Sequence, residues 1–160
     1  FDSYGVFPLV TLSQGEFITS ENESLGTEFE CLMLRSRPKY MYRTNHDFND
    51  PNKEVVYSYD NATTVTGMPL EDHFAEWKQK GFERHPKPTR YVEVTAQLTS
   101  NNQIVLLSVA EQSVGNLSAY WAQMRMAGRD IRQMPTRVFR GKKIERARVP
   151  FYPWAFAPAA

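Results

Sequence analysis

Apolar and polar positions alternate in short runs along most of this chain, and a helical period replaces the alternation in only two places. Alternation puts successive side chains on opposite faces of a strand, so such runs read as half-buried strands. Residues 6–18 form a β-rich stretch interrupted by Gly15, and residues 28–35 alternate in part. Two short aromatic strands follow over 40–44 and 54–60. The connection between them, Asn45-His46-Asp47-Phe48-Asn49-Asp50-Pro51-Asn52, is crowded with turn formers. Strands are also expected over 90–99 and 103–109, joined by the turn Ser100-Asn101-Asn102. Thr136-Arg137-Val138-Phe139-Arg140 and residues 143–149 flank Gly141 and read as a basic hairpin.

The first helical stretch opens at Pro69, with Glu71 and Asp72 opposing the positive end of the helix dipole. Leu70, Phe74 and Trp77 recur at helical spacing, Lys78 and Lys80 occupy the last turn, and Gly81 ends it. The second runs over 116–129, with Leu117, Trp121 and Met124 as its buried stripe. The aromatic, Pro-rich segment 149–160 is too apolar for a free linker and is expected to pack on the body of the protein as an edge strand, or to dock a second copy or partner. There is no internal repeat and no low-complexity tract. Many short strands with a helix between two strand groups predict a mainly β protein with two α-helices, a small β-barrel in one domain spanning 1–160.

Bulk numbers change this picture little. A chain of 160 residues, 41% hydrophobic and 23% charged, can bury a core without disulfides or a structural metal. No stretch approaches about 20 apolar residues, so no membrane span is expected. The first residues lack a basic segment followed by an apolar run, so no signal peptide is expected either, and the three Asn-x-Ser/Thr triplets, at Asn22, Asn61 and Asn116, carry no weight. The single cysteine, Cys31, lies in an apolar run and reads as core; one thiol fits a reducing cytoplasm.

Charge adds more. The net charge is +1, but residues 1–76 carry thirteen acidic and five basic side chains, a balance of −8, and residues 77–160 carry five acidic and fourteen basic, a balance of +9. The basic excess is densest from Arg125 to Arg148, where nine Arg and Lys face only Asp130 and Glu145. A field of that sign attracts polyanions. Catalysis finds less support. The sequence has no phosphate-binding Gly-rich loop, no His-Glu-x-x-His and no Gly-x-Ser-x-Gly. His46 with Asp47 and Asp50, or His73 with Glu71 and Asp72, could each supply hard ligands or an acid/base pair, the first set being the candidate for a metal-dependent nuclease, and most of these carboxylates already have turn or dipole duty. The expectation is therefore no enzymatic activity, no cofactor and no metal.

Binding of single strands fits better. Tyr40 and Tyr42 share one face of their strand, Tyr57 and Tyr59 share one face of theirs, and Arg35, Arg37, Lys39 and Arg43 surround the first pair. Rings stack bases at about 1–3 kcal/mol each while cations follow the phosphates. Arg125, Arg129 and Arg132 follow one another at i, i+4 and i+7 if the second helix persists that far. They lead into Arg137, Arg140, Lys142 and Lys143, with Phe139 as a further ring. A choice of Arg over Lys favours phosphate forks and stacking. No base-reading helix or zinc finger is visible, so duplex readout is not expected. RNA satisfies the same chemistry as DNA.

The segment Val6-Phe7-Pro8-Leu9-Val10-Thr11-Leu12-Ser13-Gln14-Gly15-Glu16-Phe17 resembles the opening of phage-type single-stranded DNA-binding proteins. Ile104-Val105-Leu106-Leu107-Ser108-Val109, followed by Ser113 and the Tyr120-Trp121 helix, is similar to them too, as is Thr136-Arg137-Val138-Phe139 through Pro150-Phe151-Tyr152-Pro153-Trp154. The resemblance runs loosely over most of the chain. It implies an OB-like five-stranded β-barrel, here with an extra N-terminal strand and a C-terminal basic hairpin. It also implies a non-catalytic role in coating single strands during phage replication or recombination, in the host cytoplasm. As DNA contacts it supports Tyr40, Tyr42, Tyr57 and Tyr59 with the basic residues near them. Many such proteins end in an acidic tail that recruits partners, whereas this sequence closes Ala157-Pro158-Ala159-Ala160. The alternative class is a virus structural or assembly protein that uses residues 149–160 to associate.

Overall fold

A computed structural model describes residues 7–47, 50–145 and 150–159. The protein is mainly β with two helices, and its chain divides into two compact units, one made of Phe1–Ser36 with Val92–Ala160 and the other of Arg37–Tyr91.

The first unit begins with β1 (Leu9–Ser13) and β2 (Glu16–Thr19), which pair from Val10↔Thr19 to Ser13↔Glu16. Gln14 and Gly15 between them both have positive φ, 52° and 84°, as a two-residue hairpin turn of the kind that matches strand twist requires. β3 (Ser24–Gly26) pairs β2, and β4 (Glu28–Arg43) follows. β6 (Thr89–Leu98) begins at the end of the second unit and runs on into the first, followed by β7 (Ile104–Ala110), β8 (Thr136–Arg140) and β9 (Trp154–Pro158). The hydrogen-bonded order is β3-β2-β1-β7-β6-β4-β8-β9, with β1 parallel to β7 at Leu9↔Leu106 and Val10↔Leu107. β7 is buried at every position from Val105 to Val109, which explains why its sequence is a continuous apolar run rather than an alternation.

Helix α2 (Glu111–Met126) covers this core. It starts five residues before the sequence expectation, because Ser113 and Asn116 hold the backbone of Trp154, and that packing outweighs the cost of Gly115 inside a helix, about 1 kcal/mol. Its buried stripe is Ser113, Leu117, Tyr120 and Met124, so Tyr120 takes the place expected of Trp121, which is half-buried beside it. Tyr120 and Thr136 share a buried hydroxyl hydrogen bond of 2.7 Å that fixes this rotation.

The strand expected over 143–149 does not close a hairpin on β8. Ile144 makes only an isolated bridge to Phe151, and residues 146–149 lie outside the described residues. β8 pairs instead with β9, from Thr136↔Pro158 to Arg140↔Trp154, so the aromatic segment is itself a strand. Trp154 is 2% exposed and meets Phe17 edge-on at 4.9 Å.

In the second unit, β5 (Val55–Ser58) pairs β4 from Tyr40↔Ser58 to Arg43↔Val55. The two strands expected over 28–35 and 40–44 are thus one, continuous through Pro38. That residue falls after Cys31, where pairing with β8 ends, and before Tyr40, where pairing with β5 begins, so its missing N–H costs no bond in the β8 or β5 pairing. Helix α1 (Leu70–Gln79) buries Leu70 and Trp77 against Tyr42 and Val56. The Trp77 indole N–H has no acceptor among the described residues, a cost that the ring's packing outweighs. Phe82, just past Gly81, donates its N–H to the Trp77 carbonyl at 2.9 Å and packs on the same cluster, and Gly81 N–H reaches the Lys78 carbonyl. This is a Schellman end with its hydrophobic contact.

Burial pushes the Cys31 thiol up to about 12, so it stays protonated in the folded state. The unfolded thiol ionises near 8.5. Stability from this group is therefore constant below about pH 8.5 and falls as pH rises toward 12, where only the unfolded chain gains from ionisation. A thiol-reactive chromophore at pH 8 should leave Cys31 unmodified in native protein and titrate one thiol in denaturant; rapid native reaction contradicts the burial.

Candidate functional site

The first unit holds a groove of about 510 Å³ whose walls are β4, the end of α2 and the loop after it. Helix α2 stops at Met126 by a second Schellman motif: Gly128, at φ +70°, donates to the Arg125 carbonyl at 3.1 Å, and Arg129 donates to the Met124 carbonyl at 2.9 Å. Arg129 and Arg132 are therefore not on the helix, as their spacing suggested, but on the loop that turns back beneath it. The Asp130 carboxylate caps this loop, accepting the Arg132 backbone N–H at 2.9 Å and the guanidinium at 3.2 Å from both Nε and Nη2. The Arg132 guanidinium, then its backbone N–H, holds the Asp130 carboxyl below the usual carboxylate range. Met33 N–H donates to the Ile131 carbonyl at 3.1 Å, which ties the loop to β4.

These constraints bring Arg35 from β4, Arg125 from α2 and Arg129 and Arg132 from the loop around one groove. All four side chains are exposed, and Arg35, Arg125 and Arg129 have no ion-pair partner among the described residues. The floor is Met33, Val94, Met124 and Ile131 with the half-buried Trp121, whose Nε1–H donates to the Met33 sulfur at 3.4 Å. The sequence named the four arginines; it assigned Trp121 to the core. Cations over an apolar, aromatic floor can hold a flat ring and its anionic groups together.

In the second unit the four tyrosines do not form one platform. Directly paired residues share a face, so Tyr40 and Tyr42 lie with Ser58 and Val56, and Tyr57 lies with Met41 on the other side. Tyr42 is 6% exposed, packs edge-on to Phe74 at 5.2 Å and donates its hydroxyl to Asn61 Oδ1. It is a core residue, and burial pushes its hydroxyl pKa up; Tyr40 is half-buried on the same cluster. Tyr57 and Tyr59 keep half-exposed rings. The Arg37 guanidinium lies 3.4 Å from the Tyr59 ring centre, and the Lys39 ammonium lies 5.1 Å from Tyr57 and 5.6 Å from Tyr91. Lys39 is only 2% exposed, so it supports these rings from below rather than meeting a phosphate from solvent. Arg43 donates to the His46 carbonyl at 3.0 Å and stabilises the turn. The sequence reading missed Arg84, which sits 4.6 Å over Phe74; only the isolated bridge Thr44↔Arg84 brings it there, and no local pattern signals that.

A further basic and aromatic group lies on the first unit. The Arg137 guanidinium is 4.1 Å from the Phe139 ring, and it pairs with Glu28 at 3.3 Å. Arg140 lies 4.8 Å and Lys143 5.8 Å from the Tyr152 ring, and Arg140 donates to the Gly15 carbonyl at 3.3 Å. Lys142 is exposed beside them.

Three of the nuclease candidates, His46, Asp50 and His73, have structural contacts. His46 Nδ1 is 2.7 Å from Thr44 Oγ1 with its ring against Phe82, and Asp50 accepts the Asn52 N–H at 2.8 Å. His73 packs on Trp77 at 5.2 Å. Among the described residues no three His, Cys, Asp or Glu side chains converge to hold a metal ion, and no helix is long and apolar enough to cross a membrane. Set against known proteins, the chain matches no family model, and no curated protein or solved structure is significantly similar to it.

Proposed function

We propose that this chain is a non-catalytic single-stranded DNA-binding protein of the phage type, built on an OB-like barrel and largely indifferent to sequence. The observation that carries the reading is the groove of the first unit, where Arg35, Arg125 and Arg129, exposed and without an acidic partner among the described residues, rim an apolar floor containing Trp121. Phosphates meet the rim and unstacked bases meet the floor, which is the division of labour single-strand binders use. The half-exposed Tyr57 and Tyr59 with Arg37 offer a second stacking surface on the other unit. A predominantly β fold with two helices suits the barrel. Coating strands exposed in replication or recombination, in a host cytoplasm, is the role such binding would serve. RNA meets the same groove chemistry, and competition between oligo-dT and oligo-U separates the two.

Fluorescent oligo-dT titrated at several salt concentrations tests the reading. For three neutralised phosphates log K should fall against log salt with a slope of about −2, and replacing Arg125 and Arg129 by Ala should reduce the slope by about 1.4. No binding at low salt removes the proposal. Tyr57→Ala with Tyr59→Ala should weaken binding by about 1–3 kcal/mol for each base that loses its ring. Unchanged affinity would confine contact to the arginine groove.

A further inference from the structure

The same groove gathers its guanidiniums around a space of about one nucleotide. Four guanidiniums and one carboxylate leave a net charge of +3, because Asp130 neutralises Arg132 alone. A phosphodiester linkage brings one negative charge, whereas a phosphomonoester brings about −1.5 to −2 at neutral pH and presents three acceptor oxygens. At about 510 Å³ the groove lies within the range for small-molecule sites and far exceeds one bound anion, so it has room for a base and sugar beside the phosphate. Its floor suits the base: two methionine sulfurs and an indole give a polarizable surface that adapts to any flat ring.

Geometry makes the charge local. Arg125 leaves the last turn of α2, Arg129 leaves the loop immediately after Gly128, and Arg35 faces them from β4. Gly128, which lines the groove between Arg125 and Arg129 in sequence, has open space where a Cβ would stand. From these observations we infer that the groove is an end-binding site: it takes the terminal nucleotide of a strand, or a free nucleoside monophosphate, with the phosphomonoester among Arg35, Arg125 and Arg129 and the base over Trp121. The inference rests on the strand-binding reading above and adds a preference to it. A coating protein with such a site would seat first at strand ends that carry a phosphate.

The test uses the full chain with four oligo-dT probes of one length, bearing a 5′-phosphate, a 3′-phosphate, both or neither, together with thymidine monophosphate and thymidine followed by calorimetry. A phosphate at one terminus should strengthen oligonucleotide binding about tenfold, the size expected for gaining a charge-assisted contact. The two singly phosphorylated probes identify which terminus. Thymidine monophosphate should bind and thymidine should not. The tenfold gain should vanish in Arg125→Ala with Arg129→Ala; both side chains are exposed, and an unchanged urea midpoint shows that the variant is folded. Equal affinity for all four probes, or a gain that survives in the variant, overturns end binding and leaves strand binding standing. Binding of the monophosphate with no oligonucleotide binding removes the strand reading and keeps a mononucleotide pocket. If neither phosphate probe engages the groove while a Glu-rich, Trp-containing peptide does, the groove is a peptide site and the inference fails.

Discussion

The first unit depends on how Trp154 is held. Its backbone N–H donates to Ser113 Oγ at 2.8 Å, and its carbonyl accepts from Asn116 Nδ2 at 2.9 Å, so both main-chain groups of one strand residue are fastened to helix α2. The ring then closes on Phe17, which itself meets Phe29 edge-on at 5.1 Å. Burial of an indole of this size contributes about 4 kcal/mol. The two hydrogen bonds decide where that energy acts: they fasten the first turns of α2 to the strand, and the Tyr120–Thr136 bond then fixes the rotation that puts Tyr120 inside and turns Trp121 toward the groove. Cut loose from Trp154, the helix would have no reason to present Arg125 where it does.

What the sequence could disclose follows from how local each determinant is. The break at Gly15, the strand over Thr136–Arg140 and the end of α1 at Gly81 are written in neighbouring residues, and they were legible, whereas the end of α2 before Gly128 was overrun. The rotation of α2 was not, because Leu117-Trp121-Met124 and Leu117-Tyr120-Met124 are equally good helical stripes and only the Tyr120–Thr136 bond, formed across sixteen positions, chooses between them. The continuity of β4 through Pro38 was hidden for a related reason: a proline interrupts a strand only where a partner needs its N–H, and partners are not visible in one segment. The four arginines of the groove could be named, yet the helix does not persist to carry Arg125, Arg129 and Arg132 on one flank, and their convergence with Arg35 arises from a loop. Pairing Tyr40 with Tyr42 was correct arithmetic on period two, whereas Tyr59 lies past the end of β5 at Ser58, where that period no longer applies. The arithmetic could not say that Tyr40 and Tyr42 face a helix.

The division of charge along the chain also changes meaning once folded. The unit comprising Phe1–Ser36 and Val92–Ala160 contains ten basic and ten acidic residues, and Arg37–Tyr91 contains nine and eight, so neither unit is appreciably charged as a whole. The field at the groove is a product of placement rather than of net charge. Glu28 draws off Arg137 and Asp130 draws off Arg132, while Arg35, Arg125 and Arg129 keep theirs. Solubility and local attraction for anions are thereby set independently.

One unit is a continuous stretch of chain and the other is not, and this orders their assembly in time. Arg37–Tyr91 can complete its contacts from a single segment, at the modest entropy of closing short loops. The other unit must wait: Phe17 emerges early in synthesis, but its partner Trp154 emerges only after the whole intervening chain has been made. Until then Phe17 has Phe29 beside it but lacks the indole, and incompletely covered aromatic surface is the kind that draws nascent chains into aggregates. The side-chain clamp from Ser113 and Asn116 is waiting on α2 when that last strand arrives, which shortens the interval during which the unfinished face is exposed.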